Sequence, residues 1–265
     1  MADGTRGTLA GQHAVVTGGG RGLGAAIAAA LAGDGADVTL MGRTRARLDE
    51  RAGAIARAAG VRVRAVACDV ADPASVAGAF HEAVAGLGDV RILVNGAGQA
   101  DAAWLVDTPL DAWRRMLDVN LTGAFLCMQQ VLPAMTAAGA GRIVNLASTA
   151  GLKGYARVAA YCASKHGLVG LTRAAALEAA RSGVTINAVC PGYAEETDML
   201  QAAVENVRRA TGKSADEAKA ILVRQSPRGR LVTPAEVADA VRWLCSAAAS
   251  AITGQAIAVA AGEVM

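Results

Sequence analysis

The chain has 265 residues, 53% of them hydrophobic and only 3% aromatic, so a sizeable core is built mainly from Ala, Val, Leu and Ile. Its net charge of +3, with no block of Lys and Arg, argues against nucleic acid as a partner. The apolar stretches are too short and interrupted to span a bilayer, the opening MADGTRGTLAG carries no secretory run, and Cys68, Cys127, Cys162, Cys190 and Cys245 form no C-x-x-C pair; a cytoplasmic protein with reduced thiols and no membrane partner is expected.

In chain order, His13 to Val16 is a short apolar strand that runs into Thr17-Gly18-Gly19-Gly20-Arg21-Gly22-Leu23-Gly24 and then an Ala-rich helix to about Gly33. Strand, glycine turn and helix is the context of a phosphate-binding loop, because glycines allow close backbone approach and the helix start favours an anion. A second strand, Asp37 to Met41, ends at Gly42-Arg43 and is followed by a helix from about Arg45 to Ala59. The third, Val61 to Ala67, ends at Cys68-Asp69-Val70, and Asp72-Pro73 caps and opens the next helix. Ile92-Leu93-Val94 delivers Asn95-Gly96-Ala97-Gly98 at its carboxyl end. Thr108-Pro109 opens a long helix predicted to carry Asn120 in an apolar run. Arg142 to Leu146 leads to Ser148, a helix starts near Val158, and Val184 to Val189 leads to Pro191-Gly192. Residues 194–227 break the strand rhythm, with a capping box at Ser214-Ala215-Asp216-Glu217, and are read as a short helical lid inserted in a single domain of residues 1–265. A second capping box at Thr233 starts the last helix, and Gln255 to Ala260 closes the series.

This alternation predicts one α/β, Rossmann-type, doubly wound parallel sheet of about seven strands with helices on both faces. Ligands in such sheets lie beyond the carboxyl ends of the strands, and Gly18, Asp69, Asn95, Ser148 and Pro191 all fall there. Between them stands Tyr161, with Lys165 one helical turn on. A fixed ammonium beside a phenol is expected to pull its pKa down from about 10, which suits proton transfer to and from an oxygen. His166 points away from that face and reads as a packing or surface residue, and no His, Cys or carboxylate cluster has metal-ligand spacing.

Taken together, these motifs resemble the short-chain dehydrogenase/reductase family over residues 10 to 262. The matching features are Thr17-Gly-x-x-x-Gly-x-Gly, Asp69, Asn95-x-Ala-Gly, Asn120, Ser148, Tyr161-x-x-x-Lys165 and Pro191-Gly192, in family order and spacing. YCASKHGLVGLTRAAALE and the ending WLCSAAASAITGQAIAVAAGEVM look nearest to bacterial 3-oxoacyl carrier-protein reductases and 3-hydroxyacyl-CoA dehydrogenases. The resemblance implies hydride transfer between a nicotinamide dinucleotide and a carbonyl or secondary alcohol. It gives Tyr161 as general acid, Ser148 as the group polarising the carbonyl, Lys165 as partner of Tyr161 and of the nicotinamide ribose, and Asn120 as support of a water leading from Lys165 to solvent. For the cofactor it implies Gly18, Gly22 and Gly24 at the pyrophosphate, Asp69 at the adenine, Asn95 alongside, and Pro191, Gly192 and Thr197 at the nicotinamide. Arg21, Leu23, Arg43, Val70, Ala97 and Gly98 complete the set, with Tyr161 and Lys165. Gly96 stands where the family usually has a second Asn, and the run Ala194 to Asp198 is one residue longer than the common pattern, which leaves Thr197 open.

Two substrate readings share these residues: a 3-oxoacyl or 3-hydroxyacyl thioester, CoA- or carrier-protein-linked, or a free, cyclic or polyketide ketone. A dinucleotide-sensing regulator would need the glycine loop but not the Ser148, Tyr161, Lys165 and Asn120 set. Gly42 and Arg43 occupy the place where an acid would accept the ribose hydroxyls of NAD, and Arg21 lies across the turn, so NADP(H) is expected over NAD(H). The family resemblance also implies a homotetramer; the small residues Ala159, Ala163, Gly167 and Gly170 are compatible with close helix contact and equally with packing on the sheet.

Overall fold

A computed structural model describes residues 7–264; the first six residues, part of the segment on which the reading of the leader rested, lie outside these. The strands are β1 (His13–Thr17), β2 (Asp37–Gly42), β3 (Val63–Ala67), β4 (Val90–Asn95), β5 (Gly141–Leu146), β6 (Val184–Pro191) and β7 (Ala256–Val259). They form one sheet in the order β3-β2-β1-β4-β5-β6-β7, with every pairing parallel. The order reverses between β1 and β4, and the crevice beyond their carboxyl ends is where this architecture takes ligands.

Helices α1 (Gly22–Gly33), α2 (Arg45–Ala59), α3 (Pro73–Leu87), α4 (Leu110–Leu117), α5 (Gly123–Ala137), α6 (Ala159–Ala179), α7 (Asp198–Thr211), α8 (Ala215–Val223) and α9 (Pro234–Cys245) surround it. One face of the sheet is covered through Ile27, Leu31, Leu48, Ile55, Val241 and Leu244, the other through Val76, Phe80, Val131, Met135 and Ala175. Phe80 is the one aromatic ring among the buried core side chains of the described residues, so small residues let helices sit close to the strands. Each fully buried Leu or Ile contributes about 1.5–3 kcal/mol. Strand β6 is buried along its whole length, as expected where helices pack on both faces.

Caps set several boundaries as read. Asp72 accepts from Ala74 N–H at 3.0 Å with Pro73 in the first turn, and Ser214 and Thr233 form reciprocal capping boxes with Glu217 and Glu236. Helix α2 stops at Gly60, whose left-handed φ of 69° suits glycine.

Some boundaries differ from the sequence reading. Strand β3 starts at Val63 rather than Val61, because pairing with β2 begins at Val38, and β7 spans only the residues paired with β6. The helix expected from Thr108-Pro109 starts at Leu110 and is not continuous. A π turn over Asp118–Thr122 separates α4 from α5. The wider turn adds a residue to the helical circuit and buries Asn120.

Residues 194–227 hold α7 and α8, joined through Leu200, Leu222 and Leu231. On α6, a Cβ at Gly167 would come within 2.8 Å of Leu121 Cδ2, so this position serves contact inside the chain. Gly170 faces open space.

Candidate active site

The site begins where β1 and β4 end. Thr17 Oγ1 accepts from the N–H groups of Gly96 and Ala97 at 3.1 and 3.2 Å and so ties the two strand ends together. A Cβ at Gly18 would lie 2.7 Å from Gly96 O, and one at Gly24 would lie 2.3 Å from Gly18 O. These are backbone contacts that no side-chain movement relieves, so both positions require glycine. The start of α1 has no side-chain cap and no acid in its first turn, whereas α3, α7, α8 and α9 each carry a capping side chain. Its free N–H groups and positive end therefore fit an anionic group such as a dinucleotide pyrophosphate. Leu23 packs against the core beneath this loop.

Asn95 is buried, and its side chain turns into the sheet. Its amide donates to Asn145 Oδ1 (2.8 Å), Asn145 donates to Thr172 Oγ1 (2.9 Å), and Thr172 donates to Leu168 O (2.7 Å). This ladder stiffens β4, β5 and α6 together, and Asn95 shapes the Gly96-Ala97-Gly98 backbone through it. At the end of β3, Asp69 Oδ1 accepts from Ala71 N–H at 3.0 Å, while Val70 packs on Gly123. Pro191 closes β6; a Cβ at Gly192 would lie 2.8 Å from Glu263 Oε2, which explains glycine there.

Asn120 is 1% exposed. Its Oδ1 accepts from Gln99 N–H (2.9 Å), and its Nδ2 donates to Gln99 O (2.9 Å) and Ser164 Oγ (3.1 Å). The π turn delivers it to the loop after β4, and Gly98 leaves room: a Cβ there would lie 3.3 Å from Asn120 Oδ1 and 3.7 Å from Lys165 Nζ. Lys165 is 3% exposed and donates to Leu146 O at 2.6 Å. Its ammonium lies 5.7 Å from the centre of the Tyr161 ring. The Tyr161 hydroxyl reaches Met199 Sδ of α7 at 3.9 Å, so residues 194–227 lean over it. Ser148 starts a short 3₁₀ turn, with its Oγ accepting from Ala150 N–H at 3.1 Å.

The electrostatics correct one expectation. Burial pushes the Tyr161 phenol up to about 12, against the opposing effect of the Ser148 hydroxyl, and burial brings Lys165 down to about 8. The Tyr–Lys pair therefore does not lower the phenol here. Lys165 spends its short contact on Leu146 O, and desolvation is the largest influence on the phenol. The phenol is protonated at neutral pH, the state a general acid requires.

At the rim, Arg21 is ion-paired with Asp198 at the head of α7, and both are well exposed. Arg43 is exposed and has no carboxylate partner among the described residues. The two guanidiniums read as one clamp are thus differently engaged, since Asp198 lies 177 positions from Arg21 and no local pattern signals the pairing. Thr197 is buried as the N-cap of α7, donating to Ala194 O at 2.9 Å, with its methyl 3.7 Å from where a Gly22 Cβ would sit. Its hydroxyl is committed to the chain itself.

Sequence reasoning missed four participants. Gln99 holds Asn120 through its backbone, Met199 covers the phenol, and Glu263 is buried against Tyr155 and Lys153. Thr172 completes the polar ladder, and its only sequence signal was a hydroxyl inside an apolar helix face.

Comparison with known proteins agrees with this geometry. The profile of the short chain dehydrogenase family matches residues 12–208. A protein of Streptomyces violaceoruber, named for a ketoacyl reductase of the granaticin polyketide synthase, is 41% identical over 98% of this chain and 96% of its own. The cis-4-hydroxycyclohexanecarboxylate dehydrogenase of Sinomonas cyclohexanicum is 41% identical over 94% of this chain and 95% of its own. Among solved structures, a variant actinorhodin polyketide ketoreductase crystallised with NADPH superposes with a TM-score of 0.92 at 38% identity, covering 95% of this chain and 97% of that one.

Proposed function

Because the chain belongs to the short-chain dehydrogenase/reductase family, and so is an oxidoreductase interconverting CH–OH and C=O, we propose that it is an NADP(H)-linked reductase of 3-oxoacyl thioesters. The observation that carries the chemistry is the convergence of half-buried Ser148 and Tyr161 with buried Lys165 and Asn120 on one site. When bound, the nicotinamide supplies or accepts the hydride. The chain's own residues handle the oxygen and the proton. Ser148 Oγ and the Tyr161 hydroxyl hold the substrate oxygen, and Tyr161, neutral at pH 7, gives its proton as negative charge develops there. Lys165 and Asn120 form the inner path by which that proton is replaced, and residues 194–227 exclude water as a lid with Met199 over the phenol. Gly18, Gly22, Gly24 and the start of α1 would hold the pyrophosphate, with Asp69 and Val70 at the adenine and Pro191 and Gly192 toward the nicotinamide.

The NADP(H) preference rests on Arg43 beside Gly42, where no carboxylate repels a 2′-phosphate, and a similar ketoreductase is described with NADPH. The ketoacyl reductase relative is named for a polyketide synthase and fits a carrier-linked thioester and a polyketide ketone alike. The thioester reading is supported by Lys213, Lys219, Arg224 and Arg228, which have no carboxylate partner among the described residues while Arg208, Arg209 and Arg230 do. A cyclic-alcohol substrate is the second reading, favoured by the hydroxycyclohexanecarboxylate relative. Cofactor oxidation measured with acetoacetyl-CoA and with cyclohexanone derivatives separates them: a higher kcat/KM on the cyclic ketones replaces the first reading by the second. Oligomeric assembly follows as a homotetramer through α5 and α6, where Phe125 is 42% and Leu177 80% exposed. Light scattering giving a monomer at micromolar concentration would refute it. Among the described residues no helix is long and apolar enough to cross a membrane, and a cytoplasmic location is proposed.

A further inference from the structure

Three unusual features meet at one residue that the mechanism does not use. Arg157, four positions before Tyr161, holds a φ of +69°, a left-handed conformation that glycine adopts freely and a side chain resists. Its Nε is buried without a hydrogen-bond partner, and none of its nitrogens has a carboxylate partner among the described residues. Its guanidinium lies over the ring of Trp104, 5.2 Å from the centre, and Trp104 itself is 55% exposed. The backbone is fixed as well: Arg157 O accepts from Ala103 N–H at 2.8 Å, and Ala103 bridges to Val158. These contacts pin the loop that follows Gly98 to the start of α6, four residues before Tyr161.

A buried guanidinium N–H lacking an acceptor is a costly arrangement in a structure whose other buried polar groups are mostly paired. Stacking on an aromatic face fixes the guanidinium plane, and because Nε is buried the edge left for an acceptor with two oxygens is the Nη1–Nη2 side, which has no hydrogen-bond partner among the described residues. We propose that Arg157, steadied by Trp104, is the anion-recognition residue of the substrate cleft, binding a carboxylate or phosphate that the substrate carries away from its reacting carbonyl. The proposal rests on the carbonyl-reducing function above and narrows its substrate class to anionic ones. It also accounts for a strained arginine where glycine would be easier for the backbone.

The test uses Arg157→Gln and Arg157→Gly in the full chain. Two substrate pairs set an anionic member against an uncharged one: acetoacetate against its ethyl ester, and acetoacetyl-CoA against acetoacetyl-N-acetylcysteamine, which also lacks the nucleotide and most of the pantetheine arm. Both variants should lose about ten- to a hundredfold in kcat/KM, mainly through KM, on an anionic member, with its neutral counterpart held within about threefold. Loss confined to acetoacetate identifies a carboxylate; loss confined to the CoA ester identifies its phosphates. Arg157→Gly should keep or raise the Tm, because it relieves the left-handed backbone. Equal losses on neutral and anionic substrates, or no loss on either anionic one, overturn the proposal. Calorimetric titration of malonate and CoA needs no turnover. Should the unaltered protein reduce no carbonyl, the functional reading fails, yet weaker binding of either probe to Arg157→Gln would still support the anion site. Equal or absent binding in both proteins would overturn it.

Discussion

The two banks of the crevice differ in where their polar groups find partners. On the catalytic bank, Asn120, Lys165 and the Asn95–Asn145–Thr172 ladder are buried and bonded to groups of the chain itself. On the rim of the glycine-loop bank, Arg21 and Arg43 stand in solvent, one paired with an exposed aspartate and the other unpaired among the described residues. Asn120 and Lys165 are desolvated and held by their neighbours, while Ser148 and Tyr161, the proposed proton-transfer groups, are half-buried. The arginines proposed to meet a cofactor phosphate stand at the surface, where charge changes cost little stability. Substitutions on the first bank should therefore alter the rate, and those on the rim should alter discrimination.

The hardest trial of that division is Tyr161→Phe, which removes the transferable proton and keeps the ring. Turnover is expected to fall by about two to four orders of magnitude, with cofactor Kd from fluorescence titration little changed; near-normal turnover would remove Tyr161 as the acid. Gly24→Ala tests the floor between the banks. Its Cβ would sit 2.3 Å from Gly18 O, so the loop must move. Cofactor Kd should rise about tenfold or more, and stability in urea should drop by about 1–3 kcal/mol, the usual cost of overpacking. An unchanged Kd would separate the loop from the dinucleotide.

On the rim, Arg43→Asp exchanges attraction for repulsion toward a 2′-phosphate. The ratio of kcat/KM for NADPH over NADH should fall about ten- to a hundredfold, with kcat on the better cofactor nearly kept. If kcat falls instead, the rim is part of the catalytic bank and the comparison breaks down. The smallest expected effect is a flat line. Alcohol oxidation releases a proton, so the ratio of oxidation to reduction must rise about tenfold per pH unit. With Tyr161 raised to about 12, the neutral acid persists through the neutral range. Reduction should then stay level from about pH 6 to 7.5, while oxidation carries the whole slope as the phenolate fraction grows. A reduction rate already falling there would mean a phenol with a much lower pKa. Lys165, lowered to about 8, sets where departures begin, since its charge is lost as pH rises through that value.

Much of this was legible in the sequence because it is encoded by near neighbours. Apolar runs ending in glycine or asparagine marked the strands, and Asp72-Pro73, Ser214-x-x-Glu217 and Thr233-x-x-Glu236 marked helix starts with their own hydrogen bonds. The Tyr161–Lys165 spacing placed both on α6, and the order of motifs gave the family and the strand ends that line the site. Tertiary structure decided what depends on desolvation and on distant partners. The pKa directions of Tyr161 and Lys165 follow from desolvation by the surrounding fold, which a four-residue spacing does not contain. The break at Asn120 reflects its bonds to Gln99, 21 positions away, which hold a π turn where local propensity favours an unbroken helix. Arg21 finds Asp198 only because the fold brings α7 over the glycine loop. Arg157 looks unremarkable as a letter, and its strain and unpaired nitrogen arise from the loop that pins it against Ala103 and Trp104. Periodicity, turns and caps depend on residues a few positions apart, whereas charge state and pairing depend on what the closed fold places alongside.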